Sequence, residues 1–352
     1  MRQGAQAGFP QAQGEGCYIC GGLSEGLEEA SARVVPRLSK FEFHTFSIGL
    51  VLPQGVQERE DNLRSEFRIR GGQTVKSDFS NRLSSMIAGR TRKRLDKVQP
   101  GVTILVNLGT NTVETASRPA FIRARYTKPR GVAQRRSFCE KCGGRGCEVC
   151  GGTGYSTLPS VEGLVSKKLG TLLGATKFKF TWYGSEDAES AVYPPGRPFV
   201  VEAKNPLRRS VPSQLRLRTG KGGMLVSGMR VSSARINSPA FTFRTRVSML
   251  AERPIVAAEL RKLQKEMRNA LIQYRNNKGR LVYKRVYSVR VSARGKKVTA
   301  EVRLDGGLPV KRLVSGESVS PSFSESLRAQ LRCERFDIMG VWPKPAPLGD
   351  QE

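Results

Sequence analysis

Apolar and polar positions alternate through "KFEFHTFSIGLVLP" (40–53), and this period of two predicts a strand with one buried face. The period then lengthens. Val75, Phe79, Leu83, Met86 and Ile87 recur at helical spacing within 75–95, with basic residues on the opposite face, and predict an amphipathic helix. "GVTILVNLGTNTVETAS" and "AFIRARYTK" read as two further strands, closing a small α+β unit near residue 130. A Cys- and Gly-rich insert occupies 139–154, and a helix is predicted at 160–173. Beyond it, strands are predicted in "KFKFTWYG", "RPFVVEAKN", "GMLVSGMRV" and "FTFRTRVSML". A helix at 254–273 and strands at 281–293 and 297–304 follow. Runs of strands broken by a few helices, without strict alternation, make the fold class α+β.

Glycine, glutamine and alanine dominate residues 1–16, which predicts disorder there. The resulting division is a tail at 1–38, a first unit at 39–135, an insert at 136–156 and a second sheet domain at 157–345. Charge changes the picture more than length does. Sixty Lys and Arg face 30 Asp and Glu, a formal net charge of +30 over 352 residues. The basic residues are spread through "RTRKRLDK", "RGVAQRR", "NPLRRS" and "RNNKGR" instead of forming one tether. Such a surplus points to a nucleic acid read first through its phosphates. No apolar stretch has the length of a bilayer span and the N-terminus lacks a signal-like apolar region, so a cytoplasmic protein without membrane contact is expected.

The single histidine, His44, leaves Ser-His-Asp or Cys-His chemistry one candidate base, and it reads as a structural residue. "TGKGG" (219–223) lacks the spacing of a phosphate-binding loop and predicts a turn; "SGES" (315–318) lacks the glycines of a nucleophile elbow. No dinucleotide or S-adenosylmethionine loop is present, so no catalytic cofactor is expected. "CEKCGGRGCEVCGGTG" holds two tandem copies of C-x-x-C-x-G-x-G. Cys139, Cys142, Cys147 and Cys150 supply four soft ligands, a closed set suited to a structural Zn²⁺. Disulfides are the alternative, disfavoured for an intracellular partner of nucleic acid. Cys17 and Cys20 form a third pair of the same form, and Cys333 reads as a small buried hydrophobe.

One stretch runs against the charge. "GSEDAES" (184–190) places Glu186, Asp187 and Glu189 beside "TWY", where they would repel a polyanion. With no second histidine, open metal site or cofactor, a carboxylate nucleophile is one chemistry left to an RNA enzyme. Taken in order, "FEFHTFSIGLVLP", "VKSDFSNRL", "RYTKPRGVAQRRSFCEKCGGRGCEVCGGTG", "SVEGLV", "FTWYGSEDAES", "GRPFVVEAKNP" and "GLPVKRLVSGESVSPS" resemble the tRNA pseudouridine synthases of archaea and eukaryotes that carry an N-terminal THUMP-containing domain. The resemblance runs from about Cys17 to Trp342.

That resemblance implies a THUMP-like RNA-binding domain at 39–135, a zinc insert, and a mixed, largely antiparallel catalytic domain at 157–345. It implies Asp187 as nucleophile, on a Gly-Arg-Glu-Asp block that reads Gly184, Ser185, Glu186 and Asp187 here. Phe243 would take the place of a stacking aromatic that is usually Tyr, Lys311 would keep the nucleophile ionised, and Arg197 would bind substrate. Ser185 stands where related enzymes carry the arginine that reaches into RNA, and Glu189 where a second aspartate stands. An intermediate role is expected of Glu186 and little of Glu189. The implied substrate is tRNA, held at its acceptor end and modified in the T-loop at uridine 54, 55 or both. No protein partner is called for. Two rivals remain at this level: a non-catalytic zinc-containing tRNA-binding protein, and a THUMP methyltransferase or thiolation enzyme, which would need a nucleotide loop.

Overall fold

A computed structural model describes residues 16–156, 159–232, 240–276 and 278–344. The disorder expected of 1–16 falls almost entirely outside these residues, as does the very end of the second domain. The chain divides into two compact units, one comprising residues 1–119 and 204–209, the other 120–203 and 210–352.

The first unit is a four-stranded sheet with three helices. Its strand order is Arg94–Leu95, Thr45–Val51, Val102–Asn107, Thr112–Ser117, parallel except for the last pair. Helix Val75–Thr91 lies where the periodicity placed it, with Phe79, Leu83 and Ile87 buried. Thr74 caps it by accepting the Ser77 N–H, and Arg92, left-handed at φ 56°, stops it four residues before the expected end. "GVTILVNLGTNTVETAS" is a hairpin, not one strand. Asn107 folds its side chain to accept the Gly109 and Thr110 N–H groups at 2.9 and 3.0 Å, which turns the chain. The expected 1–38 tail contains helix Leu27–Leu38, whose Leu27, Ala30, Val34 and Leu38 join the core at spacings of three and four. Helix Val56–Glu66 has no apolar stripe, burying only Val56 and Glu60, and its pattern gives no sign of it.

The second unit is built on an 11-stranded mixed sheet. Its path runs Val319–Ser320, Leu271–Arg275, Leu281–Arg294, Lys297–Asp305, Phe241–Ala251, Leu331–Pro343, Val192–Lys204, Ala120–Lys128, Gly223–Ser232, Gln214–Arg218, with Lys177–Trp182 pairing off the path to Val192–Lys204. Strand Ala120–Lys128, expected in the first unit, pairs here on both edges and contributes Ile122 and Tyr126 to this core. Helix Val161–Leu173 matches expectation. Ser160 caps its start by accepting the Gly163 N–H, and Gly174 at φ 65° ends it. The helix expected at 254–273 stops at Met267, after which Asn269 at φ 59° turns the chain into strand Leu271–Arg275. The alternation that buries Ile272 and Tyr274 there has period two, not 3.6. "TGKGG" is the predicted turn, joining strands Gln214–Arg218 and Gly223–Ser232, with Thr219 Oγ1 donating to the Gly222 carbonyl at 2.7 Å.

Candidate active site

Strand Lys177–Trp182 delivers the acidic loop 184–190, and strand Val192–Lys204 leaves it. The loop begins at Gly184, at φ 80°. A Cβ there would lie 2.8 Å from Phe241 Cζ and 3.0 Å from Arg197 Nη2, so the turn requires glycine.

Its three carboxylates do different things. The Glu186 side chain is wholly buried. It accepts from Tyr126 Oη at 2.6 Å, from Gln134 Nε2 at 3.2 Å and from the Arg197 guanidinium. Arg197 Nε donates to the Tyr183 carbonyl at 3.0 Å, and Gln134 also reaches the Gly184 carbonyl at 3.2 Å. Burial pushes the Tyr126 phenol up to about 12, which keeps it a donor. Every charge in this knot is paired, the condition under which a buried ion pair is tolerable. Glu186 is therefore the loop's anchor. Arg197, placed at the substrate by resemblance, is 1 % exposed, with Nε on the Tyr183 carbonyl and Nη1 on Glu186, so it holds the loop while lining the cavity that Asp187 faces.

Lys128 grips the same loop from below. Its side chain is buried, and Nζ donates to the carbonyls of Asp187 at 3.2 Å, Ala188 at 3.3 Å and Ser190 at 2.5 Å. Three acceptors match the three donors of an ammonium group. Burial, helped by the charge of Arg197, lowers its pKa to about 8, against the pull of Glu189, Asp187 and Asp337. The Gly131 N–H adds a bond to the Ala188 carbonyl at 2.9 Å, and Asp337 accepts the Ala191 N–H at 2.9 Å just past the loop.

With its neighbours fixed, Asp187 is left half exposed, and its Oδ2 lies 2.7 Å from Lys311 Nζ. Lys311 sits on the short helix Val310–Ser315, and its hydrogen bond to Asp187 raises its pKa. The pair faces a cavity of about 890 Å³ whose wall includes Phe241, Phe243, Tyr274 and Lys278. Phe243 is 5 % exposed and belongs to the core, with the Phe241 ring 6.3 Å away and nearer the loop glycine. Tyr274 Oη donates to the Gly307 carbonyl at 2.7 Å. Glu189 is exposed. Cys333 is only partly covered and close enough to Lys311 and Asp187 to feel both charges, while burial pushes its thiol up to about 11. The sequence thus pointed to Asp187, Lys311, Phe243 and Arg197, and all four line one cavity. Sequence reading passed over Tyr126, Lys128 and Gln134, although all three stand in "RYTKPRGVAQ", and over Phe241 and Tyr274.

The insert is a second, separate construction within this unit. Cys139, Cys142, Cys147 and Cys150 bring their sulfurs within 4.8 Å of one another, with pairs at 3.8 and 3.9 Å. A Zn–S bond of about 2.3 Å sets a tetrahedral S···S edge of about 3.8 Å, so the cluster fits that ion. Backbone N–H groups of Gly146, Cys147 and Gly154 point at the Cys142 and Cys150 sulfurs at 3.1 to 3.3 Å, as thiolates require. The two knuckles close on each other through glycine: a Cβ on Gly146 would strike the Gly152 carbonyl at 2.7 Å, and one on Gly154 the Gly144 carbonyl at 2.3 Å. Cys17 and Cys20 belong to the first unit, Cys20 in its core, and join no cluster of three ligands among the described residues.

A cationic chain whose acidic loop is nailed down with the Asp187 carboxylate half exposed to a cavity belongs with the RNA-modifying enzymes that the sequence resembles, the tRNA pseudouridine synthases, which are isomerases. Comparison with known proteins narrows this. Residues 31–107 match the family model described as the Pus10 THUMP domain, archaeal, and residues 121–223 the model described as Pus10, C-terminal. A tRNA pseudouridine synthase Pus10 of Cenarchaeum symbiosum is 34% identical over 327 residues, covering 92% of this chain and 80% of that protein. Those of Nitrosopumilus maritimus and Korarchaeum cryptofilum are 30% and 31% identical, covering 85% and 93% of their lengths. The chain belongs to the Pus10 family. Among solved structures, a chain of the archaeal box H/ACA sRNP Nop10-Cbf5 complex aligns over 51% of this chain at 11% identity and a TM-score of 0.32, too slight a likeness to argue from.

Proposed function

We propose that the protein converts uridine to pseudouridine in the T-loop of tRNA, at position 54, 55 or both, with Asp187 as nucleophile. The observation that carries this reading is the half-exposed carboxylate of Asp187 on a fixed loop, lining the cavity with its Oδ2 2.7 Å from Lys311, while Glu186 is buried in the knot. Asp187 attacks the sugar C1′ or the uracil C6, and the N1–C1′ bond breaks. The base turns, C5 bonds to C1′, the C5 proton leaves to solvent as the aspartate is released, and N1 takes up a proton in its place. Atoms and electrons balance without a cofactor. The uridine must leave its stack to be reached, and Phe243, with Phe241 in front of it, supplies the ring surface for it. Lys311, 2.7 Å from Asp187, pairs its charge and offsets its repulsion from RNA phosphates. The first unit would hold the acceptor end, and one structural zinc would sit on Cys139, Cys142, Cys147 and Cys150. A protein with this substrate is expected in the cytoplasm.

The test is release of the uracil C5 hydrogen from labelled, unmodified tRNA transcript, without added cofactor. Asp187→Asn is expected to abolish release while leaving tRNA binding near normal, and Glu189→Gln to keep most activity. Activity in Asp187→Asn, or its loss in Glu189→Gln, moves the nucleophile elsewhere.

A further inference from the structure

Strand Phe241–Ala251 turns Phe241 and Phe243 toward the cavity, so Arg244 and Arg246 stand on the opposite face of the sheet. There Arg244 lies directly across from Arg303 on strand Lys297–Asp305 and, on its other side, from Gly340 on strand Leu331–Pro343. Gly340 is bare because the indole of Trp342 covers it: a Cβ would meet Trp342 Cη2 at 2.5 Å. Arg244, Arg303 and Trp342 line a hollow of about 370 Å³ among the described residues.

Like charges directly across a strand pair cost stability, so an Arg–Arg pair normally borrows a carboxylate. The two carboxylates at hand are already taken. Glu301 accepts from Arg246 Nε at 3.1 Å and Nη2 at 2.6 Å. Asp305 accepts from Lys344 Nζ at 2.6 Å and from Tyr287 Oη at 2.9 Å. Ser288, the residue across from Arg303 on its far side, carries no charge. Among the described residues neither guanidinium has a carboxylate partner; Arg303 lies 5.8 Å from the Tyr287 ring centroid, and the two cations beside a 37 % exposed indole are suited to an anion attached to a flat ring.

We propose that Arg244, Arg303 and Trp342 form a subsite for one nucleotide of an RNA strand, its phosphate between the two guanidiniums and its base against the indole, on the sheet face opposite Asp187. A free nucleotide shares this chemistry. The open hollow, and a face that continues to Arg290 on the neighbouring strand Leu281–Arg294, favour a strand. The proposal rests on RNA being the ligand of the protein and is independent of which residue is the nucleophile.

The experiment measures tRNA affinity of the full chain across a salt series. Arg244→Gln with Arg303→Gln is expected to weaken binding at least about tenfold and to shallow the salt slope by about 0.7 for each phosphate no longer neutralised. Arg216→Gln with Arg218→Gln removes the same charge from the far end of the same sheet, on strand Gln214–Arg218, and should cost far less. Equal losses in the two double variants would reduce the site to a general positive field and overturn the proposal. Trp342→Ala should lose about 5- to 100-fold, with Trp342→Phe recovering most of it. No loss in Trp342→Ala also overturns it. In saturating tRNA, C5-hydrogen release should be unchanged in the double variant, the defect residing in KM; a fall in kcat instead would mean a disturbed cavity and sink the assignment. Competition separates the sources. A single-stranded oligonucleotide should displace tRNA at far lower concentration than uridine monophosphate or inorganic phosphate, and the reverse order assigns the hollow to a free nucleotide. Should Asp187→Asn prove active, the nucleophile fails and this subsite stands.

Discussion

The cysteine insert and the acidic loop are both short glycine-bounded turns, and they are held rigid by opposite means. The insert draws its four ligands from twelve consecutive residues, 139–150, and its closest backbone contacts are glycine against glycine within the same segment. The acidic loop is gripped by Tyr126, Lys128 and Gln134 from more than 50 residues upstream, by Arg197 downstream and by Lys311 from a distant helix. One site is a local chemical knot. The other exists only once the sheet has formed, because strand Ala120–Lys128 must pair with Val192–Lys204 before Tyr126 and Lys128 can meet the loop. A cysteine set can therefore keep its shape through local spacing, while a carboxylate aimed as Asp187 is depends on the whole domain.

The sharpest way to break the comparison is at Arg197. Arg197→Met leaves Glu186 buried without its cation, a loss of about 3–5 kcal/mol for a broken buried pair. Denaturant unfolding should show this, and displacement of the loop should cost turnover on the order of a hundredfold or more. Zinc content should be unchanged. Wild-type activity in this variant would mean the knot does not position Asp187.

The complementary test is Cys142→Ser. It should abolish the zinc that elemental analysis is expected to find at one per chain in the parent protein, and lower the thermal midpoint, since metal binding is folding free energy for so small a segment. Turnover should fall less than for Arg197→Met, because none of the groups holding residues 184–190 lies between 139 and 150. A greater loss of turnover than in Arg197→Met would show the two constructions to be one.

This contrast also explains what could be read from the sequence alone. The four zinc-spaced cysteines, the helix at Val161–Leu173 and most strands of the second unit carry their signals in adjacent residues. Glu186 did not. Nothing in "GSEDAES" separates a buried anchor from a solvated acid, since the difference is made by Arg197 and Tyr126 across a strand pair. The misplacement of strand Ala120–Lys128 in the first unit has the same origin: its alternation defines a strand but not its partners. Helix Leu27–Leu38 is a different case. Its apolar spacing of three and four is present in the chain, but it directly follows a Gly- and Gln-rich stretch with no such pattern.

Lys128 carries the smallest expected effect and the most specific signature. Its pKa in the fold is about 8, below the ordinary 10.5. Between these values the unfolded chain binds the extra proton and the folded one does not, so this group's contribution to stability rises with pH across that window. Its effect on the loop runs the other way. The ammonium has three donors for the carbonyls of Asp187, Ala188 and Ser190, and the neutral amine has two. Above pH 8 one of these bonds is lost, worth about 1 kcal/mol, and the loop loosens. Single-turnover C5-hydrogen release should therefore decline several-fold from pH 7 to 9 while tRNA affinity holds. Lys128→Met should start lower and lack that alkaline decline. The opposite trends separate Lys128 from a merely structural lysine, for which turnover would follow stability. An alkaline decline in Lys128→Met equal to that of the parent protein would assign it to another group and leave Lys128 no part in holding the nucleophile.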